Sequence, residues 1–296
     1  MTTALAANRI LREKGNVVPS QDLTIPLDYH MHSHYSCDSH ASMEAMSTAA
    51  LQKGIPEIAF TEHLDLQALD PCAGFYDPQA YFRALEAARA SLGPRGLTLR
   101  AGVEVGEMHR HRHAVQPVLE AHPYDVVLGS LHWVGDELVF ESSFFRREPA
   151  EAVRLYFGEL AEMAQAGGFD VLSHLDVFKR TGYAFWGRFD ITEWEHLVRP
   201  VWEACIANDI APEINTSGLR LPVGQTQPTL EALRWYREMG GERLVIGSDA
   251  HRPEHVGYGL ETALRIAHQA GFTHLCRFER RAVVAWVPIL DSMPAR

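Results

Sequence analysis

Histidines and carboxylates recur in this 296-residue chain as short polar clusters, each following an apolar run. The clusters are His30-Met31-His32, Thr61-Glu62-His63, Gly102-Val103-Glu104 and Ser130-Leu131-His132, then Ser173-His174-Leu175-Asp176, Glu213-Ile214-Asn215 and Ser248-Asp249-Ala250-His251. Imidazole nitrogens and carboxylate oxygens together suit divalent ions such as Zn, Mn or Fe. On an extended strand His30 and His32 point to the same side, so both can reach one centre. A lone HxH, TEH or SDAH is more often incidental than functional. The set is not, because burying so many imidazoles as plain core would require a hydrogen-bond partner for each. The pattern points to a hydrolase built on a cluster of divalent metal ions.

Of the 16 histidines, several invite a plainer reading. His109, His111 and His113 open a predicted helix, where residues two apart do not face each other, so they are expected on the surface. His196, His268 and His274 are likewise expected to be solvated.

The elements that must position the clusters follow from periodicity. Apolar runs at 27–31, 57–61, 98–105, 125–131, 169–174, 210–215 and 243–248 suit strands buried on both faces. Between them lie predicted helices at 41–53, 78–92, 109–121, 149–166, 192–206, 227–240 and 254–270. In the second of these, Tyr81, Leu85, Ala88 and Leu92 line one face. In the fifth, Thr192 and Glu195 offer a capping box and Pro200 a kink. Seven strand-then-helix units imply an α/β fold with a parallel sheet and right-handed crossovers. A closed barrel is favoured over an open sheet, because such barrels gather the C-terminal strand ends on one rim. Residues 1–26 read as an irregular leader and 27–296 as one domain.

Composition narrows the class further. The chain holds 27 Lys and Arg against 38 Asp and Glu, a formal charge of −11, which disfavours nucleic acid as a partner. No stretch approaches the ~18 consecutive apolar residues of a membrane span, and no signal-peptide pattern opens the chain. Cys37, Cys72, Cys205 and Cys276 form no CxxC pair, which argues for a reducing cytoplasm and against a disulfide framework.

In DYHMHSHYSCDSH (28–40), FTEH (60–63), GVEVGE (102–107), GSLHW (129–133), SHLDVFKR (173–180), INTSGLRLP (214–222) and GSDAHRPEHVG (247–257), the sequence resembles the polymerase-and-histidinol-phosphatase (PHP) superfamily. The SHLDVFKR and NTSGLR segments look like its monofunctional histidinol-phosphate phosphatase branch. The resemblance implies a distorted seven-stranded (β/α)7 barrel with a trinuclear metal site. Its ligands would be His30, His32, Asp38, His63, Glu104, His132, His174, Asp249 and His251. His30, His32 and Asp249 would serve one ion, His132 and His174 a second, with Glu104 bridging the two. Asp38, His63 and His251 would serve the third, although His40, two residues on, competes with Asp38 for that role.

Such a centre would hydrolyse a phosphate monoester, here L-histidinol phosphate, with Glu104, Asp249 and His251 at the reacting atoms. Arg220, Arg252, Lys179 and Arg180 are the candidate phosphate contacts, arginine being suited by its planar fork. Glu107 and Glu213 are candidates for an acidic rim facing the substrate amine. Asp176 is a candidate acid for the leaving group. Other small-molecule phosphatases and a PHP-type exonuclease are the competing readings.

Overall fold

The computed structural model describes residues 24–289, so most of the expected leader (1–26) lies outside the described residues. Five of the expected helices keep close to their expected bounds. They are α1 (Met43–Gln52), α2 (Pro78–Leu92), α3 (Met108–Ala121), α4 (Pro149–Ala166) and, after an unexpected α5 (Lys179–Trp186), α6 (Glu195–Ala207). The last two, α7 (Leu230–Glu238) and α8 (Leu260–Gln269), start later than expected. Local chemistry sets several starts. Ser42 caps α1, and Asp77 caps α2 with Pro78 in the first turn. On α2 the face Tyr81, Leu85, Ala88 and Leu92 is buried as the spacing predicts. The capping box at Thr192 and Glu195 does not form. Instead Asp190 accepts from the Thr192 N–H and caps a 3-10 turn (Ile191–Trp194), and α6 then runs through Pro200.

The strands are β1 (Glu57–Leu64), β2 (Thr98–Gly106), β3 (Val126–Ser130), β4 (Trp133–Val134), β5 (Glu137–Leu138), β6 (Val171–Leu172), β7 (Ala211–Asn215), β8 (Val245–Gly247), β9 (His274–Glu279) and β10 (Ala282–Pro288). Six of them form one parallel sheet in the order β1-β2-β3-β6-β7-β8, curled and flanked by helices. This is six strands where seven were expected. The missing one, 27–31, makes only isolated bridges, but it makes them to both edges of the sheet. Asp28 pairs with Ile58 of β1, and Met31 pairs with Ala250 just beyond β8. The Tyr29 N–H also donates to the Ile246 carbonyl. The chain segment that carries His30 and His32 therefore lies along the seam between the first and last strands.

Two hairpins, β4–β5 and β9–β10, were not expected. The second turns at Arg280 and Arg281, both with positive φ (49° and 64°), where a tight hairpin ordinarily uses Asn-Gly or Gly. Tertiary bonds hold this turn: Asp125 accepts from both backbone N–H groups, and the Arg281 guanidinium pairs with Asp170.

Candidate metal centre

The C-terminal strand ends converge as expected. His63 lies near the end of β1 and Glu104 near the end of β2, opposite each other in register. His132 follows β3, His174 follows β6, and Asp249 and His251 follow β8. His30 and His32, fully buried on the seam, face the same point.

Glu104 is the hub. Its Oε1 lies 3.0 Å from His174 Nε2 and 3.4 Å from His132 Nε2. Its Oε2 lies 3.2 Å from His30 Nε2, 3.3 Å from His32 Nε2 and 3.3 Å from His63 Nδ1. One carboxylate thus faces two separate sets of imidazoles with its two oxygens. Asp249 Oδ1 lies 3.9 Å from His30 Nε2 and 3.7 Å from His32 Nε2. On the outer side, Asp38 Oδ2 is 2.9 Å from His251 Nε2 and 3.5 Å from His63 Nε2. Asp38, though its side chain is itself 48% exposed, therefore joins the ring, while among the described residues His40 pairs with none of these groups.

The rings are aimed by groups behind them. Glu213 Oε1 sits 2.9 Å from His30 Nδ1, and its other oxygen accepts from the His174 backbone N–H. The Ser36 hydroxyl donates to Glu62 and sits 3.0 Å from His32 Nδ1. Each contact keeps the proton on Nδ1 and turns the Nε2 lone pair inward, as partners of metal-bound histidines do. Close packing leaves no slack: a Cβ on Gly247 would meet Glu213 Oε1 at 2.0 Å and His30 Cβ at 2.4 Å. The loop carrying Asp249 is tied down by Asp28, whose carboxylate accepts from Ser248 and Gly257 N–H groups.

Electrostatics describe a ring that demands positive charge. Burial would raise the Glu104 carboxyl, yet His30 and His63 hold it well below the usual carboxylate range. Burial works against protonated His63 as well, but Glu104 and Asp38 push it up to about 10. His32 is held well below its usual range by burial and by His251 and His63 beside it. His63 Nδ1 and Asp65 Oδ1 are buried without a hydrogen-bond partner. Unpaired donor atoms and ionised carboxylates inside a ring of imidazoles are what divalent cations satisfy, so these residues fit a metal cluster. Ligand atoms of His30, His32 and Asp249 all lie within 4.8 Å of one another, as do those of His30, Glu104 and His174, of His63, Asp65 and His132, and of His32, His63 and His251.

Asp65 is the residue that sequence reasoning missed. It reaches His63 Nδ1 at 3.4 Å and His132 Nδ1 at 3.5 Å. The signal was present: it stands two residues beyond His63 on the continuation of β1, hence on the same side.

The candidate phosphate contacts separate. Arg180 lines the cavity over the ring, 3.3 Å from Asp249 Oδ2, with Phe140 against its guanidinium. Lys179 does not reach the cavity; it is buried, with Nζ 2.6 Å from Asp176 and 2.7 Å from the Thr226 carbonyl. That pairing also takes Asp176 away from the leaving group. Arg220 donates to the carbonyls of Ser248 and Asp249 and so braces the loop at Asp249, whose φ is 52°. Arg252 is exposed and does not line the cavity. Glu107 is buried and accepts from the backbone N–H groups of His132 and Trp133, so it offers no rim charge; burial pushes it up to about 7. Glu213 is buried behind His30, likewise away from any rim.

His196, His268 and His274 are exposed as expected, and so is His113. His109 and His111 are half-buried instead, with His109 Nε2 3.2 Å from Glu159 of α4. Against expectation, Cys37 and Cys72 are joined as a disulfide at the cavity wall, which Cα atoms 5.4 Å apart allow.

The PHP domain family model matches residues 28–217, more than half of the chain and most of the residues just described. The chain belongs to the PHP domain family. The histidinol-phosphatase of Lactococcus lactis is 27% identical over 255 residues, spanning 85% of this chain and 94% of that protein. A Clostridium acetobutylicum protein named "Probable histidinol-phosphatase" is 25% identical over 256 residues, spanning 86% of this chain and 97% of that one. The fold also matches the crystal structure of the L. lactis histidinol phosphate phosphatase complexed with zinc, L-histidinol and phosphate. There the TM-score is 0.82 at 25% identity, covering 88% of this chain and 99% of that chain.

Proposed function

We propose that this PHP protein is a metal-dependent phosphomonoesterase that hydrolyses L-histidinol phosphate to L-histidinol and phosphate, within histidine biosynthesis. The observation that carries the reading is Glu104 facing two sets of imidazoles with its two oxygens, in a chain similar over most of its length to a histidinol phosphate phosphatase. His30, His32 and Asp249 would hold one divalent ion, His132 and His174 a second with Glu104 between them, and Asp38, His63 and His251 a third. Asp65 is placed to complete the set between His63 and His132. Mixed nitrogen and oxygen donors admit Zn, Mn or Fe. The seam segment 28–31 is read as the seventh position that closes the curled sheet into a distorted barrel, within a single domain from about residue 27.

When bound, the ions would supply Lewis acidity that activates a water and offsets the charge of the phosphoryl group. The chain's own part is to hold and exclude. Arg180 has guanidinium donors beyond the one on Asp249 and would grip phosphoryl oxygens with them. Asp249 and His251 line the cavity close to the reacting atoms, Asp249 as a carboxylate that, against its burial, His30, His251 and Arg180 keep ionised. Glu213 and Ser36 keep His30 and His32 from turning and the Asp28 tether holds the Asp249 loop, so little reorganisation accompanies the reaction.

A small-molecule substrate suits a cavity of about 590 Å3. The charge of −11 argues against a polynucleotide, and among the described residues no helix is long and apolar enough to cross a membrane. A cytoplasmic setting is part of the proposal, and in that reducing compartment Cys37 and Cys72 would be held as neighbouring thiols. Phosphate release by metal-loaded protein should be fastest by far with L-histidinol phosphate in a panel that includes nucleotides, sugar phosphates and single-stranded DNA. Preferential turnover of a nucleotide or of DNA would replace this reading with one of the competing two.

A further inference from the structure

The cavity over the ring has a second wall that the hydrolytic chemistry does not use. It is formed by Asp70, Pro71 and Cys72 on the loop after β1, and by Leu138 and Phe140 on and beyond the β4–β5 hairpin. The acidic residues lining the cavity are Asp38, Asp65, Glu104, Asp249 and Asp70. The first four each lie within salt-bridge distance of one or more histidines of the ring. Asp70 differs: among the described residues it pairs with no Lys, Arg or His.

Its carboxylate is nevertheless held in place. Oδ2 accepts from the Trp133 indole N–H at 2.7 Å, and Oδ1 accepts from the Cys72 backbone N–H at 2.7 Å. Trp133 directly follows His132, and Cys72 packs against Cys37, Cα to Cα 5.4 Å, which directly precedes Asp38. Both supports therefore lead back to the ring, which fixes the distance between this charge and the phosphoryl end. Neither bond exhausts the oxygens, since a carboxylate offers about four lone-pair sites. What remains is a fixed negative charge without a protein cation, beside apolar Leu138, Pro71 and Phe140.

We propose that Asp70 anchors the protonated amine of the substrate, with Leu138, Pro71 and Phe140 receiving its planar imidazole end. The inference rests on the histidinol phosphate reading and makes Asp70 the specificity-determining residue of that site. It explains how a cavity with strong attraction for any phosphate could prefer one that carries an ammonium on the carbon beside its ester CH2. Discrimination by a charged hydrogen bond exceeds what apolar contact alone provides.

The test compares L-histidinol phosphate with its amine-free analogue, imidazolyl-propyl phosphate, in metal-loaded protein. Asp70→Asn removes the charge and keeps an acceptor oxygen for one of the two supports, its amide NH2 facing the other N–H. The ratio of kcat/KM for the two substrates should fall by roughly tenfold to a hundredfold, mostly through KM of the amine substrate. Asp70→Glu, which keeps the charge, should recover part of that ratio. An unchanged ratio in Asp70→Asn would overturn the proposal, as would an equal loss on both substrates. A competing role in the metal ring, through Asp65 within 4.8 Å, would appear as metal loss in Asp70→Asn and would also overturn it. Failure of the unmodified protein to release phosphate from L-histidinol phosphate is a separate result. It removes the substrate reading before any substitution is made, and this inference with it.

Discussion

Glu104→Gln is expected to abolish most phosphate release and to lower the bound-metal content, while the fold persists. The substitution preserves size, and one side-chain oxygen can still accept from the Ser130 hydroxyl, which donates to Oε1 at 2.5 Å. What it removes is the negative charge shared by His30, His32, His63, His132 and His174. Removing one partner of a buried, hydrogen-bonded charge pair costs about 2–5 kcal/mol in affinity, roughly thirtyfold to a few thousandfold. The amide also points an N–H2 at one set of imidazole lone pairs, so the bridging geometry is lost as well as the charge. Phosphate release and metal content measured on the same preparation check this. Wild-type metal content with wild-type turnover would remove Glu104 from the centre.

Lys179→Met is expected to destabilise the protein by about 3–5 kcal/mol, the penalty for leaving a buried charge without its partner. Lys179 and Asp176 are both buried, Nζ to Oδ2 at 2.6 Å, and burial outweighs the pairing on each side: the ammonium is pushed down and the carboxyl up. The loss also orphans the Thr226 carbonyl that Nζ reaches. Denaturant unfolding gives the number directly, and Lys179→Met combined with Asp176→Leu should regain much of it, because a buried ion pair exchanged whole for apolar groups is often neutral. A phosphate-binding lysine would behave differently, with KM rising and the unfolding midpoint unmoved. That outcome would restore the role expected for Lys179 from its place beside Arg180.

These two residues mark what was legible in the sequence and what was not. Glu104, the histidines and Asp249 were legible because each follows an apolar run, and strand ends in a parallel sheet converge on one rim. Asp38 was legible only as one of a pair with His40, since a loop has no periodicity to choose between them. The contacts of Asp38 with His251 and His63 favour it, both residues being exposed. Lys179, Arg180, Arg220 and Arg252 looked alike as basic residues after strands. Only the tertiary partners separate a buried ion pair, a cavity-lining guanidinium, a brace on two carbonyls and a surface charge.

The fold shows the same division. Buried parallel strands and amphipathic helices announce themselves by composition, so α2 and β2 fall where periodicity puts them. The hairpin β9–β10 did not, because its turn residues, Arg280 and Arg281, lack the usual turn chemistry and are held by Asp125 and Asp170 from distant strands. Segment 27–31 read as a strand from its apolar run. Its bridges divide between two neighbours, so no ladder of regular strand length develops on either side. The link between Cys37 and Cys72 had no signal in spacing, since 35 residues separate them.

The most direct measurement is a titration of metal-free protein with a divalent ion, counting bound ions while following phosphate release from L-histidinol phosphate. The arrangement around Glu104 predicts no turnover without metal, and activity that saturates as three ions bind. Full turnover by the metal-free protein, or saturation of activity with a single ion, would contradict it.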